Sequence, residues 1–289
     1  MVLRDRYTLY LPTERETADM AQGSVQFIGT ATVLLRYAGF TILTDPNFLH
    51  QGELAHLGYG IYTTRQTNPA LELHQLPPID FVLLSHFHED HFDRRVVREL
   101  DRAIPIITTP QAALALRRRC FAATQALATW ETLTLHKGLS MLRVTSLPAR
   151  HGPALIWRAL PQTMGSMLEF MDQDGQVLLR VYISGDTLWY AQLQTIAQHY
   201  PHIDLALLHL GGTRLMGILV TMDARQGLEA LESINAHKTI PIHYNDYDSF
   251  KSPLHHFEQL VTLSGLQARV VYLHHGDKYT FEVLEKQER

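Results

Sequence analysis

The chain has 289 residues, 46% of them apolar and 19% charged, a balance that excludes a disordered or fibrous polypeptide and leaves room for a sizeable core. A formal net charge of -4 supplies no electrostatic footprint for binding nucleic acid or an anionic membrane, so neither is expected as a partner. The one cysteine, Cys120, excludes an intrachain disulfide and any cysteine-based zinc knuckle, and it suits a reducing compartment such as the cytoplasm.

No stretch reaches eighteen consecutive apolar residues, so no spanning helix is expected, and the charged start shows no signal-peptide core. We read residues 1–289 as a single domain with a polar N-terminal arm over residues 1–22. Residues 24–45 then read as three short strands, SVQFIG, ATVLLRY and FTILTD. Residues 46–79 are irregular and too long for a simple connection, which marks a functional loop or lid at an active site. A buried strand over 80–85 follows, and Phe92, Val96, Val97 and Leu100 set a helix over about 91–101.

The middle alternates a strand (105–109), a helix (111–119) and β-rich runs at 133–136, 141–147, 164–171 and 177–184, with Asp174-Gly175 signalling a hairpin between the last two. Further on come a helix (188–199), a strand (203–208), a helix (223–235), a strand (239–243), a helix (253–263) and a closing hairpin in RVVYLHHGDKYTFEV. Strand-rich runs in both halves, each followed by helices, predict an α/β protein with two sheets packed face to face and helices outside.

Histidine is the commonest metal ligand, and 17 of them occur here. Ser85-His86-Phe87-His88-Glu89-Asp90-His91-Phe92-Asp93 places three imidazoles and a carboxylate within six positions at a strand-to-helix turn. At this chain's own frequencies that pattern arises by chance roughly 0.003 times, so a solvated polar turn is a poor account of it. In extended backbone His86 and His88 project to one side while Phe87 goes to the core, and the turn redirects Asp90 and His91 to a second ion. Zinc takes such a mixed set, and manganese or iron tolerates it.

Four residues cannot hold two ions, and three later positions qualify as further ligands: His151 after a β run, Asp186 between a buried strand and a helix, and His243 at another strand end. Each also has an ordinary reading, a core-edge histidine for His151 or His243 and a helix N-cap for Asp186. Asp45 either orients a ligating histidine or caps a turn before Pro46. Tyr244 and Arg150, beside His243 and His151, are candidates for substrate binding unless strand geometry turns them away.

The order HFHEDH, ARHGP, SGDT and IPIHY resembles the metallo-β-lactamase superfamily from about Ser24 onward. TDPNF, PARHGP and PIHY are more narrowly similar to the branch containing the ascorbate-phosphate lactonase and the N-acyl-phosphatidylethanolamine phospholipase D. The resemblance implies a four-layer αββα sandwich of two mixed β-sheets flanked by helices. It implies two divalent ions, preferably Zn2+ with Mn2+ or Fe2+ as alternatives. His86, His88 and His151 would hold the first, Asp90, His91 and His243 the second, and Asp186 would bridge them.

Asp90 and Asp186 are then the catalytic carboxylates around a hydroxide shared by the ions. The implied activity is hydrolysis of a small ester-like molecule, a lactone or a phosphorylated metabolite. The alternative is a phosphodiesterase acting on a phospholipid head group, a cyclic nucleotide or RNA, because the same ions serve phosphoryl displacement. A redox diiron relative of the same fold is disfavoured because His88 is a histidine where the oxygen-reducing branch has glutamate. The related lactonase forms oligomers, so a homo-oligomer is possible here, although no patch in the sequence marks an interface.

Overall fold

In the computed structural model, residues 4–13, 18–154 and 156–283 are described. Two seven-stranded sheets dominate. The first runs, in spatial order, Arg4–Tyr10, Glu131–Lys137, Ser140–Leu147, Gly165–Met171, Val177–Ile183, Leu205–His209 and Lys238–Ile242. The second runs Lys278–Glu282, Gln22–Gly29, Thr32–Tyr37, Phe40–Thr44, Phe81–Leu83, Ile106–Thr108 and Thr124–Ala126. Both are mixed: antiparallel pairs run through one part of each sheet and parallel pairs through the rest, and in the first sheet the edge strand Arg4–Tyr10 is parallel as well.

Side-chain alternation along the strands builds the layers. Val33, Leu35 and Ile42 of one sheet meet Leu133, Val144, Leu168, Phe170 and Leu207 of the other in the central core. Neighbouring residues face outward. Ala206 and Leu208 pack on Ile196, Leu231 and Phe257 from helices Gln194–His199, Ala224–Ile234 and Leu254–Leu263. Ile28, Leu34 and Val82 pack on Val96 and Leu116 from helices Arg94–Glu99 and Pro110–Arg117. Strands covered on both faces read as nearly continuous apolar runs, which is why LALLHL and FVLL carry no alternation. The result is an αββα sandwich, as expected.

Four local expectations are corrected. The N-terminal arm contains a strand, Arg4–Tyr10, paired in parallel with Glu131–Lys137; three consecutive charges at Arg4, Asp5 and Arg6 interrupt any apolar alternation and hid this edge strand. The closing hairpin does not form. The turn that joins His274 N to Asp277 Oδ2 at 2.8 Å sends Lys278–Glu282 to pair with Gln22–Gly29, so its partner lies some 250 positions away in sequence. The helix expected over 188–199 begins only at Gln194 after a 3-10 turn, because Tyr190 before that turn is extended (φ -156°, ψ 156°), while Leu188 N and Trp189 N donate to Arg150 O and Gln226 Oε1 at 2.9 Å each. The helix expected from His91 starts at Arg94, where Asp93 Oδ1 accepts from the amides of Arg95 and Val96 and caps it.

The 46–79 segment is not devoid of structure. It carries a small ribbon, Leu54–His56 with Tyr62–Thr64, and a 3-10 turn at Leu73–Gln75. A second ribbon, Arg214–Leu215 with Ile218–Leu219, lies near it, since Leu57, Leu215 and Val220 share one apolar cluster. Both strands of each ribbon are too short to stand out as patterns.

Candidate metal centre

Six strand ends deliver one site. Asp45 follows Phe40–Thr44, the His86–Asp93 segment follows Phe81–Leu83, and His151 follows Ser140–Leu147. Asp186 follows Val177–Ile183, His209 ends Leu205–His209, and His243 follows Lys238–Ile242. These are carboxyl ends of strands running the same way, the usual address for a site in an α/β sheet. Three of the supporting residues adopt left-handed backbone without being glycine: Thr30 (φ 54°), Asp45 (φ 34°) and His243 (φ 60°). Such positions are strained and concentrate where side chains must be aimed. Gly185 (φ 60°) makes the turn before Asp186 and is held to glycine by space as well, because a Cβ there would meet Met164 O at 2.3 Å.

The polar atoms converge. His86, His88 and His151 form one group whose candidate ligand atoms lie within 4.8 Å of one another, and Asp90, His91 and His243 form another. Asp186 joins His86 and His91 in a third group, between those two. Its Oδ1 lies 3.5 Å from His91 Nε2 and 3.6 Å from His243 Nε2, while Asp90 Oδ2 lies 3.8 and 3.7 Å from the same nitrogens. His86 Nε2 and His88 Nδ1 are 3.0 Å apart. All seven residues are buried.

The outer atoms are held from behind. His151 Nδ1 is 3.0 Å from Val220 O, and His243 Nδ1 is 3.1 Å from Leu210 O, so each donates there and leaves Nε2 as a lone pair facing the site. Ser85 Oγ lies 3.0 Å from His86 Nδ1 and holds that ring in place from behind. Thr221 Oγ1 donates to Asp186 Oδ2 at 2.8 Å. What remains is a set of buried atoms without a hydrogen-bond partner among the described residues: His88 Nε2, Asp90 Oδ1, His91 Nε2, Asp186 Oδ1 and His243 Nε2. Orphaned buried polar atoms are costly unless something binds them. Two carboxylates among several imidazoles are a donor set for divalent cations, so the residues present fit metal ions.

The charges differ from one imidazole to the next. Burial pushes His86 well down and His88 down to about 3, and lowers His151, so these imidazoles are neutral, the form in which histidine binds a cation. Burial alone would lower His91 too, but Asp186, Asp90 and Asp45 outweigh it and raise it well above its ordinary value. Asp186 and Asp90, which burial would raise, are drawn below the usual carboxylate range chiefly by His243 and His91.

His209 was not singled out in the sequence, and the structure places it beside the centre. Its Nε2 is 3.3 Å from Asp45 Oδ2, and Asp45 Oδ2 is also 3.3 Å from His91 Nδ1, while Asp45 Oδ1 accepts from Ser85 N at 2.6 Å. Burial would raise the Asp45 carboxyl, but His91 and His209 hold it at about 2. Asp45 thus braces His91 and the start of the histidine segment from one carboxylate. The sign that pointed to His151 and His243, an imidazole ending a buried strand, was also present in Leu205–His209.

Of the two residues expected to bind substrate, Tyr244 is turned away from His243 and Arg150 is held against Tyr190. Tyr244 turns its ring into the central core and donates its hydroxyl to Leu273 O at 2.7 Å, because strand alternation sends it opposite to His243. The backbone N of Arg150 is tied to Thr187 Oγ1, and its guanidinium lies 4.3 Å over the Tyr190 ring. Phe87, expected in the core, is only half-buried and lines a cleft of about 490 Å³ that adjoins His88. Residues 56–59 of the long irregular segment line the same cleft.

Two mixed sheets flanked by helices, with a histidine and aspartate cluster at the strand ends, define a protein of the metallo-β-lactamase fold. The Beta-lactamase superfamily domain model matches residues 41–244, and the chain belongs to that superfamily. It is similar to the UPF0173 metal-dependent hydrolase of Methanospirillum hungatei, 28% identical over 257 residues that cover 88% of this chain and 97% of the relative. Among solved structures it is similar to a possible metal-dependent hydrolase from Veillonella parvula, with a TM-score of 0.75 at 18% identity, covering 91% of this chain and 100% of that one. It is also similar to the isothiocyanate hydrolase from Delia radicum gut bacteria, with a TM-score of 0.74 at 18% identity over 90% and 99% of the two chains. At that identity the solved structures speak for the fold alone.

Proposed function

We propose that the chain is a hydrolase with a two-metal centre, in which His86, His88 and His151 hold one ion, Asp90, His91 and His243 the other, and Asp186 lies between them. The carrying observation is the convergence of those seven buried side chains with five ligand atoms that no group among the described residues satisfies. Relatives named metal-dependent hydrolases support the reading. Bound divalent ions, zinc being the first choice for this donor set, acidify a water and polarise a carbonyl or phosphoryl oxygen.

The chain's own groups do the rest. Asp90 Oδ1, held ionised and without a partner among the described residues, is the acceptor that orients an attacking water. Backbone carbonyls of Val220 and Leu210 lock the tautomers of His151 and His243. Burial around the centre excludes bulk water, which strengthens every charge interaction inside it. A cleft of about 490 Å³ beside His88 suits a small molecule. We assign it an ester-like substrate, a lactone or a phosphorylated metabolite, following the resemblance of TDPNF, PARHGP and PIHY to the lactonase branch.

The test is metal content by elemental analysis of protein purified without chelator, with hydrolysis of a lactone panel and of bis(p-nitrophenyl) phosphate before and after Asp90→Ala. About two ions per chain and lactone hydrolysis lost in the variant are expected. Preference for the phosphodiester would replace the substrate assignment, and a metal-free protein indifferent to Asp90→Ala would overturn the mechanism.

A further inference from the structure

The cleft beside His88 has a composition that selects among substrates. Its apolar part comes from Phe87 and Phe92, whose rings lie 5.8 Å apart, and from Leu57 and Pro161. Tyr59, on the turn of the 54–64 ribbon, also lines it and donates its hydroxyl to Ala159 O, so that the two loops bordering the cleft are joined. Flat, apolar and aromatic groups bind such surfaces by burial and ring stacking.

Two arginines line the cleft, and they are in different states. Arg94 is saturated: it pairs with Glu53 at 2.9 Å and with Glu89, itself a lining residue, at 3.1 Å. Arg119 has no carboxylate within ion-pair distance among the described residues. Its side chain makes one hydrogen bond, from Nη1 to Ala115 O at 3.0 Å, and its guanidinium lies 4.8 Å over the Phe87 ring. That stacking fixes the plane of the fork while leaving donors unused. An arginine is always charged, and a fork with open donors matches a carboxylate or a phosphate. Glu89 is offset by Arg94, so the cleft carries one uncompensated cation at Arg119, with the metal-binding cluster at His88.

We propose that this cleft recognises substrates with a flat apolar body ending in an anionic group, the body lying against Phe87 and the anion, carboxylate or phosphate, on Arg119. This deepens the proposed function and rests on it, because the metal centre at His88 decides which end of the cleft holds the reacting bond. Arg119 is a specificity-determining residue and takes no part in the chemistry.

Binding, read by titration calorimetry on the full metal-loaded chain, tests this without turnover, so a failure here is separate from a failure of hydrolysis or metal content. The probes are 2-naphthoate, 2-naphthylphosphonate and the neutral 2-naphthamide, on wild type and on Arg119→Gln, Arg119→Lys and Arg94→Gln. Wild type should favour an anion over the amide by about tenfold, the scale of one charge-assisted hydrogen bond. Arg119→Gln should bring that preference to near parity, while Arg119→Lys keeps part of it and Arg94→Gln most of it. Which of the two anions binds more tightly names the natural group. A preference unchanged in Arg119→Gln would mean that the anion sits on the metal centre, and loss in Arg94→Gln alone would put it on the other arginine; either result overturns the proposal.

Discussion

Asp246→Ala is the perturbation that most directly probes how the walls of the site are held. Asp246 is 1% exposed and accepts from Thr30 N at 2.6 Å and from the Thr67 hydroxyl, with His275 Nε2 at 3.1 Å. Nearby Arg65, fully buried, donates to Thr30 Oγ1 and Asn47 Oδ1, and the Arg65 charge acts on the Asp246 carboxylate. These residues tie the 46–79 segment to the turn after His243, and Thr30 O accepts from His243 N. Removing the carboxylate strands the buried Thr30 N–H and the half-buried Thr67 hydroxyl and takes the opposing charge from buried Arg65, which costs about 3–5 kcal/mol. For a chain of this size that is a fall in Tm on the order of 10 °C.

The pH dependence of that cost is fixed in sign. Burial would raise Asp246, but His275 and Arg65 hold it below its ordinary value. Its contribution is therefore full above the unfolded value of about 3.9 and is lost as pH falls through the lower folded value. Urea unfolding of chelated wild type and Asp246→Ala, from pH 7 down to pH 3, should show a gap that is constant to about pH 4 and shrinks below it. A gap under about 1 kcal/mol at pH 7, or one that persists unchanged into acid, would refute the account of this network.

Three further outcomes are expected. Chelation should lower Tm, since an ion present at a thousand times its Kd stabilises by about 4 kcal/mol, and adding zinc back should restore it; identical melting curves would mean that no ion binds the folded state. Asp45→Asn removes the carboxylate that braces His91 and His209, and a competition titration with a chromophoric chelator should show metal affinity down about 10- to 100-fold at unchanged ligand residues. Tyr244→Phe should cost about 0.5–1.5 kcal/mol of stability through the lost bond to Leu273 O and leave KM unchanged; a large rise in KM would place the hydroxyl at the substrate after all.

Much of this protein was legible before any tertiary contact was known. His-x-His-x-Asp-His is a local pattern, and the run from Ser85 to Asp93 is short enough that its composition alone points to a metal. The strands at 24–45 and the Asp174-Gly175 hairpin are local too, set by side-chain period and turn chemistry. His151, Asp186 and His243 could be nominated because each ends an apolar run. Their meeting could not be read from spacing, and only the common direction of their strands brings them within reach of the first cluster.

Tertiary structure alone decided the rest, because it depended on partners far away in the chain. Whether Tyr244 faced substrate or core turned on which way one strand end pointed, and Leu273 O claimed it. Arg4–Tyr10 became a strand because Glu131–Lys137 offered an open edge, and Lys278–Glu282 left its expected hairpin because Gln22–Gly29 offered another. His209 gained its place through Asp45, a residue 164 positions away. Sequence period determines which face of an element is apolar; which neighbour covers that face, and which polar atoms are left with none, is settled only when the sheets close on each other.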